Sequence, residues 1–251
     1  MIFSRRTRHC GLALFIVSAF AINAAPTPEP VHPIEQLLRR HAGAMPSIAS
    51  IRAAGKHAGA RIVLERLLTS VKDEDLWASA IEALGVITDL KTREGSEVFA
   101  KLNAFLHYTD PFGCLQLPCP KLNADDETAD RDREARLVVP IAIGYLLQNS
   151  ETSSASASSS AAQDILEAMD TLEQVAKTPY ITLKAQWCRD SAGKIDESCG
   201  VELQVNAVRG LKLIGSSAAK QSLQRVAKEG KSDLVIQEAK NALGESALIT
   251  R

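Results

Sequence analysis

Along most of this 251-residue chain the apolar positions recur at spacings of three and four, the period of an amphipathic helix. A first pattern starts at Ile34–Arg40. From Ala60 to Leu68 (ARIVLERLL), Ile62, Val63 and Leu64 stand near Leu67 and Leu68 and predict one apolar stripe. Asp73 reads as an N-cap before Leu76–Ile87 (LWASAIEALGVI), and Val98, Phe99, Leu102, Phe105 and Leu106 form the next stripe. A charged stretch, 125–136, leads into an apolar one, 137–147, in which Pro140 either kinks the helix or marks its true start. Helical patterns return at 165–175, 205–214, 218–227 and 234–243, with Gly215 and Gly230 placed as C-caps and Ser217 and Asp233 as N-caps. Three stretches break the pattern. Residues 108–124 carry Pro111, Pro118 and Pro120, residues 148–161 contain the low-complexity run SETSSASASSS, and 178–202 has no helical period. Within the last, 180–187 alternates weakly and predicts a short strand or hairpin arm pairing with 196–203.

The helical pattern also repeats. Ala80-Ile81-Glu82-Ala83-Leu84-Gly85-Val86-Ile87 aligns with Ala207-Val208-Arg209-Gly210-Leu211-Lys212-Leu213-Ile214, sharing the order small, two variable, small, Leu, two variable, Ile. Ala239-Lys240-Asn241-Ala242-Leu243-Gly244 begins the same way, 32 residues after Ala207, while Ala80 lies 127 before it, near four times 32. A period of this size with paired helices is the signature of an α-solenoid: small residues let neighbouring helices approach, and Leu and Ile fill the layer between units. The pattern, including Ala-x-x-Ala-Leu-Gly at 80–85, resembles HEAT repeats. It is clearest at 76–106 and 203–244 and weaker at 34–68 and 137–175. The resemblance implies an all-α fold, a right-handed α-solenoid of antiparallel helix pairs over 34–251, with irregular insertions at 108–124, 148–161 and 178–202. The insertions depart from the family, which normally runs without long breaks.

The N-terminus reads differently. Arg5, Arg6 and Arg8 precede an apolar run, Gly11–Phe20, and then small residues ending in Ala24-Ala25. This has the form of a secretory signal over 1–24, with a Pro-rich leader at 25–33. The apolar run is too short to cross ~30 Å of hydrocarbon, and no later stretch approaches ~20 apolar residues, so no membrane span is expected after signal cleavage. Cys10 precedes the run and cannot be the acylated cysteine of a lipoprotein signal, and Arg8 and His9 stand where a twin-arginine signal has an apolar pair. The expected location is periplasmic or secreted, in a bacterium.

Four cysteines then remain: Cys114, Cys119, Cys188 and Cys199. They allow three pairings, of which the sequence-local one is Cys114–Cys119 with Cys188–Cys199. Disulfides suit an oxidising compartment, and small loops closed this way would clip irregular insertions. The intervals of four and ten residues are not the two-residue knuckles of a zinc site, so no metal is expected.

Charge and the remaining motifs narrow the function classes. The full chain has net charge −1; without Arg5, Arg6 and Arg8 the balance is 26 basic against 30 acidic residues, or −4, which argues against nucleic acid as the partner. Aromatics are only 4% of the chain, which favours helices over strands. Ser217-Ala-Ala-Lys220 and Ser191-Ala-Gly-Lys194 match the nucleophile–base spacing of penicillin-binding proteins, but the accompanying Ser-Asp-Asn and Lys-Thr-Gly motifs are absent. Gly230-Lys231-Ser232 lacks the upstream glycine of a phosphate-binding loop, since Arg225 occupies that place. His32, His41, His57 and His107 form no metal-ligand spacing. The acids of 125–134 lack the order of a calcium loop and alternate with Arg131, Arg133 and Arg136, as on a solvated helix. Trp77 and Trp187 read as packed residues. No catalytic residue and no cofactor is therefore expected. The expectation is a scaffold, not an enzyme, that binds a protein or peptide partner in the cell envelope. The alternatives are an inhibitor or immunity-type protein against an envelope-acting toxin, or a HEAT-like lyase. The lyase, known among proteins this chain resembles, has no evident chromophore acceptor to serve in an exported chain.

Overall fold

Five helices start where a polar side chain takes up an amide that the first turn leaves without a partner. His32 Nδ1 accepts from the Ile34 amide, Ser47 from Ser50, Thr92 from Gly95, Asp196 from Ser198 and Cys199, and Ser216 from Ala219. The computed structural model describes residues 31–107, 127–153, 159–177 and 196–244. The described residues are all-helical: α1 (Pro33–Arg40), α2 (Ile48–Gly55), α3 (Ala60–Leu67), a 3-10 turn (Val71–Leu76), α4 (Trp77–Ile87), α5 (Arg93–Leu106), α6 (Glu127–Leu137), α7 (Val139–Thr152), α8 (Ser159–Lys177), α9 (Glu197–Ile214), α10 (Ser217–Glu229) and α11 (Asp233–Ala242). The signal segment 1–24, most of the leader, the insertion 108–124, the arm 180–187 and Cys114, Cys119 and Cys188 lie outside the described residues.

Several expectations need correction. Residues 196–203 are not a hairpin arm but the start of α9; Asp196 caps that helix, and Cys199, Leu203, Ala207 and Leu211 make a buried stripe along it. The insertion placed at 178–202 therefore stops by residue 195. The Ser-rich segment is also narrower than 148–161. Residues 148–152 continue α7, α8 begins at Ser159, and only 154–158 lie outside the described residues. Asp73 is not the N-cap of α4; it sits in the 3-10 turn and pairs with Arg39 at 2.6 Å. Ser216, not Ser217, caps α10, and Ser232 precedes Asp233 at the start of α11. Pro33 belongs to α1 rather than to the leader. Ile62 is 66% exposed, so the α3 stripe is Ala60, Leu64 and Leu67. The apolar pattern does not predict α2, because IASIRAAG offers only Ile51 and Ala54 as buried positions. Pro140 does mark a start: it is the second residue of α7, where its missing N–H has no partner to lose.

The helices pack in two layers. One row runs α2, α4, α7, α9, α11, each against the next. A second layer lies on it: α3 on α4, α5 between α4 and α7, α8 between α7 and α9, and α10 between α9 and α11, with α5–α8 and α8–α10 also in contact. Helix α1 packs on α2 and α3, and α6 covers α4, the 3-10 turn and α9. The first row is tight because its contact positions are small. A Cβ on Gly85 would lie 2.3 Å from the Ala142 carbonyl oxygen, one on Gly144 would meet Gly210 Cα at 2.6 Å, and one on Gly210 would meet the Pro140 carbonyl oxygen at 2.4 Å. The backbones of α4, α7 and α9 thus touch, and Ala80, Ala83, Ala142 and Ala207 are fully buried beside them.

Amide side chains satisfy the carbonyls left open at the helix ends. Asn149, in the last turn of α7, donates to the carbonyls of Gly85, Val86 and Thr88 at 2.8–3.1 Å, closing the end of α4. Gln148 donates to Leu213 at the end of α9. The C-terminal ends of α4, α7 and α9 therefore lie together, and the three helices point the same way. Gln204 and Asn206 of α9 donate to Ala176, near the end of α8, and to Leu137, at the end of α6. Ion pairs tie the layers at their rims. Glu35 of α1 accepts from Arg39 and from Arg66 of α3, while Glu173 of α8 accepts from Ser222 and Arg225 of α10. Arg225 and the other donors hold the Glu173 carboxyl below the usual range.

Candidate functional site

One residue of the repeat pattern breaks the chemistry of its surroundings. In WASAIEALGVI, Glu82 is the only charged residue of α4. Its neighbours Ile81, Ala83 and Leu84 are buried, and Glu82 occupies the half-buried flank between that core and solvent. No hydrogen bond or ion pair reaches its carboxylate from the described residues. Burial without a compensating charge disfavours the ionised form, and its pKa is pushed up to about 7. Tyr145 of α7 feels the same site: burial and the nearby Glu82 charge raise its phenol, and Arg52 of α2 opposes them.

Glu82 lines a cleft of about 370 Å³. The walls come from five places in the chain: Gly43, Ala44 and Met45 before α2, Asp75 of the 3-10 turn, Ala78, Ser79 and Glu82 of α4, Arg131, Glu134, Leu137 and Val138 of α6 and the step into α7, and Glu202 of α9. Each is placed by packing already described. Helix α6 packs on α4, the 3-10 turn and α9, and it lines the cleft with Arg131, Glu134 and Leu137, while the 3-10 turn contributes Asp75. Arg131 bridges the two, with Nε 3.1 Å from Asp75 and Nη1 3.0 Å from Glu134. The lining thus holds four carboxylates and one guanidinium, which pairs with two of them, Asp75 and Glu134. The apolar floor is Ala44, Met45, Ala78, Leu137 and Val138.

Of the residues singled out by sequence, Arg131 and Glu134 line the cleft; the other described ones do not. Cys199 is buried in the first turn of α9. Ser217 and Lys220 are exposed on the first turn of α10; Ser191 and Lys194 fall outside the described residues. His32 caps α1 with one ring nitrogen and reaches the Ala58 carbonyl with the other, and the His32 and His57 rings stand edge to face at 6.2 Å. Trp77 is packed as expected, 4% exposed, its indole N–H shared between the Leu67 and Ser70 carbonyls. The basic partners on α6 are less solvated than alternation of charge suggests. Arg136 is 5% exposed, pairs with Asp132 at 2.7 Å, donates to the Phe105 carbonyl and stacks 3.9 Å above the Phe105 ring. Among the described residues no group of three His, Cys, Asp or Glu side chains is placed to hold a metal. Sequence reasoning missed the cleft; the available signal was an unpaired acid inside an otherwise apolar helix.

No protein-family model, curated protein or solved structure matches this chain.

Proposed function

We propose that the protein is an exported helical-repeat scaffold that binds a protein or peptide partner in the cell envelope, and that the cleft around Glu82 is part of its binding face. The observation that carries this reading is the row α2, α4, α7, α9, α11 with an open cleft built on it from five chain segments. Helix pairs α2/α3, α4/α5, α7/α8 and α9/α10, closed by α11, are the units of a right-handed HEAT-like solenoid in this reading. The aligned residues Ala80, Ala207 and Ala239 support it, since all three are fully buried on members of the same row. Stacked helix pairs present extended surfaces for recognition and need no catalytic group. No helix among the described residues is long and apolar enough to cross a membrane.

Export and the disulfides belong to the same proposal. The signal-like segment 1–24 would be removed, and Cys199, buried in the first turn of α9, would be one half of a bridge. The test is a pull-down from envelope extract with the protein and with an Ala78→Arg variant that fills the cleft floor. A stoichiometric partner retained by the first and lost by the second supports the reading. Equal recovery by both removes the cleft from it, and no partner from either overturns it. A toxin as that partner would specify the function as inhibition. Intact mass before and after reduction tests the rest: a gain of four hydrogens and an N-terminus near Ala25 are expected.

A further inference from the structure

Resting on the partner-binding reading, we propose that the Glu82 cleft receives a lysine or arginine side chain of the bound polypeptide. The cavity decides the class of occupant. Its lining holds four carboxylates, Asp75, Glu82, Glu134 and Glu202, against one guanidinium, Arg131. Arg131 is committed to Asp75 and Glu134. Among the described residues Glu82 and Glu202 have no cationic partner. An anion would meet net repulsion here. A metal ion is disfavoured because no three acidic or imidazole groups converge on one point among the described residues.

An organic cation on a hydrocarbon stem answers both halves of the site. Its methylenes match the floor of Ala78, Leu137 and Val138, and its charged head reaches the acidic rim, as long basic side chains do at apolar boundaries. The volume, about 370 Å³, admits one side chain and not a folded segment. Glu82 couples this binding to protons. Burial pushes its pKa up to about 7, so near neutral pH it carries a proton that a cation beside it draws off into the buffer. The charged groups facing it are accounted for by element: Asp75 from the 3-10 turn, Arg131 and Glu134 from α6, Glu202 from α9, Tyr145 from α7 and, through Tyr145, Arg52 from α2. Helices α3 and α5 also pack on α4 but contribute nothing to the lining.

The probes are N-acetyl-lysine N-methylamide and its arginine counterpart, with the norleucine and glutamate counterparts as neutral and anionic controls, titrated into the full protein. Methyl resonances of Met45, Ala78, Leu137 and Val138 report the cleft. Saturable shifts there with lysine or arginine, at least fivefold weaker with norleucine and absent with glutamate, are expected. Glu82→Gln should weaken the cation at least fivefold and abolish the dependence of binding heat on buffer ionisation near pH 7. If Glu82→Gln fails to fold, Glu202→Gln on the exposed rim should weaken binding at least twofold. Equal affinity for norleucine, or unchanged affinity in the folded variant, overturns the proposal and leaves only an apolar recess. A partner captured by pull-down that makes no use of a basic side chain at the cleft would overturn this inference while leaving the scaffold reading intact.

Discussion

Glu82 sets a pH dependence that can be worked out in sign. Its folded pKa, about 7, lies above the unfolded value of 4.5, so folding binds the proton more tightly than unfolding does. The contribution to stability is complete below about pH 4.5 and is lost as the pH rises through about 7. Replacing Glu82 by Gln removes that loss. Denaturant titrations at pH 5 and pH 8 should therefore show Glu82→Gln near wild type at the lower pH and more stable at the higher one, by on the order of 2 kcal/mol. A variant less stable than wild type at pH 8 would mean that the ionised carboxylate has a partner in the folded state. Asn149 is the opposite kind of residue, polar and fully used. Its amide closes three carbonyls of α4 while its oxygen accepts from Arg52 at 3.2 Å. Asn149→Ala leaves those carbonyls to solvent that only partly reaches them. A loss of about 1–3 kcal/mol is expected, measured by chemical denaturation.

At the scale of the element, the contacts between neighbouring helices of the row set the order of mutational costs. Gly85, Gly144 and Gly210 each face backbone, which cannot rotate away, so an added methyl must separate two helices. Each Gly→Ala change should cost about 1–3 kcal/mol or more. Gly215, at φ +72° with open space around its α-carbon, should cost only about 1 kcal/mol, for backbone conformation alone. Leu84→Ala and Leu211→Ala should each cost about 2–5 kcal/mol, while exposed Lys212→Ala stays within about 0.5 kcal/mol. The repeat alignment places Leu243 in the same layer, yet it is only half-buried because no further helix among the described residues packs beyond α11; its truncation should cost less than that of Leu211. These comparisons show which parts of the fold could be read from sequence. Long stripes such as Val98, Phe99, Leu102, Phe105 and Leu106 are visible because burial there is periodic and one-sided. Glycine and alanine at contacts were visible through the repeat. Short α2 was not, because two buried positions make no period. The start of α9 is not legible because 196–203 reads only as a pairing arm for the weak alternation at 180–187, whereas Asp196 caps a helix buried along Cys199, Leu203 and Ala207. Ser150 was hidden for another reason. In a serine-rich run it looks like its neighbours, but it is 2% exposed, donates to Leu146 and accepts from the Leu90 amide at 2.9 Å. The cleft was illegible because its walls lie far apart in the chain, from Gly43 to Glu202, and no local spacing relates them.

The whole molecule is organised by neighbours. Helices α1–α3 pack on one another, the 3-10 turn and α4, whereas α11 packs on α9 and α10; among the described residues the two ends are joined through the row α4, α7, α9 and through α5, α8 and α10 beside it. In such an arrangement local opening need not be global, because removing a terminal unit exposes one interface and leaves the others closed. The middle of the row has the opposite property. Helix α7 touches α4, α5, α8 and α9, so opening it breaks contacts on both sides at once. Native-state hydrogen exchange should therefore give a gradient: the slowest amides in α7 and the adjoining turns of α4 and α9, faster ones in α1 and α2, and the fastest helical amides in α11. Mild denaturant should release α10–α11 before the centre. Equal opening free energies in α11 and α7 would show a single cooperative globule, and the repeat reading would lose its energetic basis even though the helices themselves remained. The cleft sits toward the α4 side of this gradient, framed by α6 and the 3-10 turn. A ligand that draws Glu82, Glu134 and Glu202 around one cation would couple α4, α6 and α9. It should slow exchange in α6 more than in α11, which contributes nothing to the lining.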